Sequence, residues 1–375
     1  MKYSTPSTAR TLVLSTILFV LVTGLVHAQT TWVGGTDLNW STAANWNPAT
    51  APITGQTALL NDTVSANRTI VYDTGASVAL GTLTMTQTSG FLNSLDVQKN
   101  LTIATAVNLS ASGNGTVQLT VDPVLTARIV TFTGGLTVGS GGNLNLLFSG
   151  TGTAHISPSV VGNVTLGGGT ITVGKPVAGD TGAAPATFNN DLTISSGTIT
   201  VDTSGTGTTT NNVRIIVNGN FTAANGTLTT TSAVQGGNLV LSGATNSFSN
   251  FTFAPNYGVM LLRSGDQTLT GLPALNNFGV LTVRGSGTKT VEGTTLGAIQ
   301  FINSNAGGTL VALKLGSNLT LNSGAQMISM VSGLAATASQ LGIDANGHTL
   351  DMSAGAGTVW KPNLVTSSSV TQIRA

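Results

Sequence analysis

The sequence predicts an all-β chain, a parallel β-helix in which short strands stack layer upon layer. Three observations point there: a phrase repeated about every 30 residues, period-two alternation within each phrase, and too little charge to clothe helices.

Residues 162–173 read GNVTLGGGTITV, 190–201 read NDLTISSGTITV and 219–230 read GNFTAANGTLTT. Their shared spine is an apolar residue, Thr and a second apolar residue, followed by a Gly or Asn turn. It recurs from Leu101, Leu136, Val164, Leu192, Phe221, Phe251, Leu281 and Leu319, and more weakly from Leu350. A fixed period of this length marks a solenoid and overrides any domain count taken from length.

Within each unit Leu192, Ile194, Ile199 and Val201 alternate with Thr193, Ser195 and Thr200, the pattern of a strand with one buried face. Gly169, Gly197, Gly226, Gly324 and Gly355 occupy equivalent places five residues after the spine, where a sharp corner needs backbone freedom. Only 7% of the 375 residues are charged, against an ordinary share of about 25%, and Glu292 is the single glutamate. Helices usually dress their solvent face with Glu, Lys and Arg, so few can form here. Roughly sixty threonines, β-branched yet wettable, suit the outward strand positions instead. Asn100, Asn163, Asn220, Asn250 and Asn318 each precede a spine residue. They form either an amide ladder along the axis or separate caps of their own turns. The Asn-x-Thr strings they create follow from the repeat and carry little weight as glycosylation sites.

The ends are distinct. Lys2 and Arg10, the apolar run from Thr11 to Val26, and Val26-His27-Ala28 read as a signal peptide over 1–28. Its removal leaves 11 basic and 12 acidic residues, a net charge near −1, so nucleic acid and anionic lipid are not expected partners. The mature chain has no expected membrane span, and with no cysteine it has neither disulfides nor thiolate metal sites. Residues 29–75, with Trp32, Trp40 and Trp46, are expected to cap the first layer; a rival use of these rings is stacking on sugars. The solenoid is expected over 76–360, closed by Trp360, with a flexible tail or truncated junction over 361–375.

The opening TWVGGTDLNWSTAANWNP, with Pro52 and Gly55 after it, resembles the N-terminal segment of bacterial autotransporter-associated β-strand repeat proteins. SNLTLNSG at 317–324 and NGHTL at 346–350 look like their repeats. The likeness covers nearly the whole mature chain, although its motifs are low in complexity. It implies a right-handed β-helix exported to the extracellular space or outer-membrane surface of a diderm bacterium, as a passenger-like adhesin or fibre. No C-terminal translocator barrel or sorting signal is recognisable, a departure from the family pattern.

Motifs for chemistry are sparse, and no catalytic, cofactor-binding or metal residues are assigned. Asp180, Asp191 and Asp202 form the best carboxylate series, but the last two bracket one repeat at its corners. His155 and His348 are the mature histidines, too few for a histidine metal site, and His348 sits in a turn phrase. Gly169 to Lys175 matches a phosphate-loop spacing, yet Pro176 replaces the metal-holding Ser or Thr and the interior reads as strand. Gly285 and Gly287 make a Gly-x-Gly expected among 48 glycines, and the Gly-Gly pairs at Gly141 and Gly236 lack the Asp of a calcium roll. The expected function is that of a non-enzymatic secreted adhesin or surface scaffold. Extracellular polysaccharide or cell-surface components are its expected partners, and end-to-end self-association is a further expectation. The alternatives are a carbohydrate-binding module using the tryptophans and a polysaccharide lyase or hydrolase.

Overall fold

The computed structural model describes residues 28–61, 66–74, 78–121, 129–147, 159–174, 184–202, 213–230, 238–253, 257–275, 279–303, 310–321, 328–332, 340–351, 360–363 and 371–374. Within them the chain is a β-solenoid whose coils place strands on three faces. Leu101–Ala111 bends from the first face onto the second, and Thr116–Val121 forms the third. The next coil repeats the order. Val130–Phe132 pairs with 101–103, Gly135–Gly139 with 106–109 and Gly142–Leu147 with 117–121, all parallel. No α-helix occurs among the described residues, and Ala43–Asn45 is a single 3-10 turn.

Alternation decides which side chains fill the coil. Along Thr116–Val121 every second residue is buried: Val117, Leu119 and Val121 turn inward while Thr116, Gln118 and Thr120 stay half-exposed. The same pattern in every coil joins Ile103, Leu144, Val164, Ile199, Leu239 and Leu313 into one continuous apolar cluster. Each such side chain withdrawn from water stabilises the fold by about 1.5–3 kcal/mol. That apolar column lets the chain dispense with disulfides and with a dense charged surface.

The spacing is shorter and less regular than the expected 30 residues, nearer 25 over much of the chain. One layer spans 29 residues from Asn100 to Ile129, 25 from Asn67 to Leu92, 22 from Asp266 to Thr288 and 31 from Asn318 to Thr349. Strand pairing holds the cross-section constant, while corner loops lengthen or shorten freely on the surface. Spine positions also shift between faces: Leu281 pairs with Val259 on the first face, and Leu319 with Leu350 in a separate small sheet. Leu101 pairs with Val130, whereas Leu136 pairs with Val107, so these two lie on different faces. Phe251 stands opposite Gly226, at a corner, and Asn246 takes the position aligned with Phe221. The run Leu136, Val164, Leu192, Phe221 is in register as expected.

The N-terminal cap is continuous with the coils. Gln29–Trp32 already pairs in parallel with Thr57–Leu60, and Trp46–Asn47 lies antiparallel across its outer edge. Asn39 bridges to Val71, with the Trp40 N–H donating to the Val71 carbonyl at 2.9 Å, so a second edge is covered as well. Farther along, Trp360–Asn363 pairs with Ile328–Val331 and Thr371–Arg374 with Leu341–Asp344, which places strands inside the segment read as a tail. The leader 1–28 lies outside the described residues except for Ala28.

Candidate functional site

From Thr116 onward the third face presents a regular outer surface. Its strands run 116–121, 142–147, 170–174, 198–202, 227–230 and 252–253, each in register with the last. Outward side chains therefore form columns. One column runs Gln118, Asn143, Thr170, Thr198, Thr227 and Thr252, and its neighbour runs Thr120, Asn145, Thr172, Thr200 and Thr229. From Gln118 to Thr252 neither column holds a charge; one coil earlier the second column continues to Asp96, which pairs with Thr120. Gln118 and Asn145 both donate to the Thr120 hydroxyl, at 3.2 and 3.3 Å, which ties the array together at one end.

The corner asparagines follow neither of the two expected arrangements in the main. The side-chain oxygens of Asn100, Asn220 and Asn318 accept from backbone N–H groups one layer on, at Ile129, Thr245 and Thr349, over 2.8, 3.1 and 2.9 Å. Asp191 does the same for the Asn220 N–H at 2.8 Å. A corner has lost its ladder partner at that point, so a short side-chain acceptor replaces it across the layer gap. Amide-to-amide contacts do occur: Asn250, one of the five, donates to Asn225 at 3.3 Å, and outside the five Asn218 donates to Asn189 at 3.1 Å.

Candidate chemistry does not converge. Asp191 and Asp202 stand on either side of the strand Leu192–Asp202, Asp191 just before it and Asp202 at its last residue, while Asp180 and His155 lie outside the described residues. His348 belongs to a turn with Asn346 and Gly347 at φ 49° and 80°, and its N–H donates to the Ala345 carbonyl at 2.8 Å. Residues 170–174 of the phosphate-loop match are strand, and Lys175 and Pro176 lie outside the described residues. Gly285 and Gly287 both have positive φ and turn a corner. Among the described residues no three His, Asp or Glu side chains gather as a metal group would require.

The three N-terminal tryptophans are core. Trp32 and Trp40 are wholly buried and Trp46 is 2% exposed, with Trp46 edge-on to both at 5.1 and 4.6 Å. The Trp46 indole N–H donates to the Trp40 carbonyl at 2.8 Å. No ring face remains open for a sugar, so the stacking role expected as an alternative is corrected to packing.

Some polar groups are buried at positions that alternation alone would not locate. Lys289 points inward with its Nζ donating to the carbonyls of Arg263 and Gly265, at 2.5 and 2.6 Å. Burial lowers its pKa to about 8, partly opposed by Asp266. Arg68 donates from Nε to Asn93 Oδ1 at 2.9 Å and from a terminal nitrogen to the Asn61 carbonyl at 2.8 Å. In the cap, Asp37 accepts from the Asn39 N–H, Asn45 and Thr42, and the backbone bond leads in holding its pKa low. A shallow groove of about 370 Å³ on the second face is lined by Asp266, Thr268, Thr288, Thr290, Lys314 and Asp344. It is open and lacks any pair of close acids.

Comparison with known proteins returns no matching family model, no matching curated protein and no matching solved structure. What the chain itself shows is a parallel β-solenoid of repeated coils.

Proposed function

We propose that this protein is an exported, non-enzymatic β-solenoid that works through its wall, as a surface adhesin or scaffold. The observation that carries this reading is the in-register array of uncharged outward side chains that runs from Gln118 to Thr252 on the third face, a surface repeated from coil to coil. Repeated weak contacts along such a wall add up through multivalency, so an extended partner binds where a single unit would not. The leader-like start and the resemblance to autotransporter-associated repeat proteins supply the expected destination, outside the cell of a diderm bacterium.

The test combines cell fractionation with binding to extracellular polysaccharides and intact cells. Export of the full chain with adhesion, and without release of reducing ends or unsaturated sugars, is the expected result. Cytoplasmic retention would remove the export claim, and turnover of a polysaccharide would replace the scaffold by an enzyme.

A further inference from the structure

We infer that the threonine array of the third face is an ice-binding surface, one that orders water into a lattice and so adheres to growing ice. Thr170 and Thr172, Thr198 and Thr200, and Thr227 and Thr229 are three successive Thr-x-Thr rungs, paired residue for residue with no shift in register between 170 and 173 or between 198 and 201. Neighbouring rungs of a parallel sheet are about 4.8 Å apart, and outward residues two apart along a strand are separated by roughly 6.6 Å. The six side chains therefore form a two-dimensional grid. Both spacings are of the size of the oxygen repeats on ice surfaces.

Chemistry favours water as the occupant. Among the described residues, none of these six hydroxyls bonds to another protein group, so each is left to water. Each carries a methyl beside its hydroxyl, and β-branching restricts χ1, so the donor and the apolar patch repeat with fixed geometry. Water over the methyls is held off them while water at the hydroxyls is anchored, which favours an ordered layer over a mobile one. Over the coils of these six threonines no charge in the two columns competes by drawing its own hydration shell, and Asp96 stands three coils before Thr172. Asn143 and Asn145 prolong the grid on one side and Thr252 on the other. The coil assists as well, since each rung is tied through the other two faces and the sheet cannot twist freely. This inference stands on the ladder geometry and does not depend on the adhesin reading.

The test uses the purified full chain in thermal-hysteresis and ice-recrystallisation assays. Thr172→Lys, Thr200→Lys and Thr229→Lys, each placed in the grid, are expected to abolish activity. Thr222→Lys, on the exposed second face, is expected to retain it. Circular dichroism reports whether each lysine variant folds. Should one fail, Thr200→Ser, which keeps the hydroxyl and removes the methyl, is expected to fold and to lose part of the activity. Absence of both ice activities from the folded parent overturns the inference, as does equal loss in Thr222→Lys. Capture by crystalline cellulose or chitin in a chain inert towards ice would assign the array to a polysaccharide surface instead.

Discussion

Lys289 occupies a position that alternation reserves for an apolar side chain: it pairs with Gln267 in the coil before and with Leu313 in the coil after. Its presence is explained by the corner above it, where the carbonyls of Arg263 and Gly265 turn inward and need a donor. The ammonium satisfies both, at the cost of burying its charge, and burial pulls the pKa from 10.5 to about 8. The folded chain therefore holds this proton less tightly than the unfolded chain. Between about pH 8 and pH 10.5 the unfolded state binds more protons, and stability rises with pH across that window. Below about pH 8 the lysine is charged in both states and the desolvation cost is present in full. Lys289→Met should flatten that rise. Its neutral-pH stability is less telling, because loss of a donor to two carbonyls, about 1–3 kcal/mol, opposes relief of the buried charge. Urea midpoints measured from pH 7 to pH 10 would show the difference, and parallel profiles for parent and variant would exclude Lys289 as the titrating group.

Corners are the elements that separate a solenoid from a pile of strands. Gly197 sits where Leu192–Asp202 bends from the second face to the third, with φ at +112° and room for no Cβ, since the Gly169 carbonyl oxygen would lie 2.5 Å away. Gly167 lies nearby in Val164–Gly174 without a positive φ, and a Cβ there would meet only Ser195 Oγ at 3.6 Å. Gly197→Ala should therefore destabilise by more than about 1 kcal/mol, through both left-handed strain and the backbone clash, while Gly167→Ala should be near neutral. Thermal unfolding of the pair decides it, and equal melting temperatures would show that the corner yields. The glycine at this place was legible in the sequence, as were strand alternation and the in-register run from Leu136 to Phe221. The face to which each strand belongs was not. All three faces carry the same apolar-Thr-apolar phrase, so a search for that phrase steps from one face to another, as at Leu101 and Leu136. The corner acceptors were equally hidden, because an Asn that spans a layer looks the same in sequence as one that caps its own turn. Of the candidate site, the threonines were visible as outward residues, but their grid depends on pairing across 28 or 29 residues, which only the coil supplies.

For the whole molecule the governing problem is its ends, because every coil but the last is protected by the next. At the N-terminal end Trp46–Asn47 crosses the outer edge of Gln29–Trp32 in the antiparallel sense, which stops a parallel strand from another chain adding there. The three tryptophans, with Trp40 also 5.2 Å from Tyr72, hold that lid on the core. Trp46→Ala removes the ring on which Trp32 and Trp40 pack, at about 3–5 kcal/mol for a buried tryptophan. In a solenoid this loss falls on the terminal coil, since coupling runs mainly between neighbours. The strand edge beneath should open before the remaining coils melt. Leu144→Ala, in the middle of the core, should cost about 2–5 kcal/mol yet leave the lid closed. Sedimentation velocity separates the two kinds of damage: Trp46→Ala should associate at concentrations where the parent and Leu144→Ala remain monomeric. If both variants stay monomeric, the tryptophan segment is simply core and some other feature guards the edge. If both associate, general destabilisation accounts for the behaviour and the lid has no special part in it.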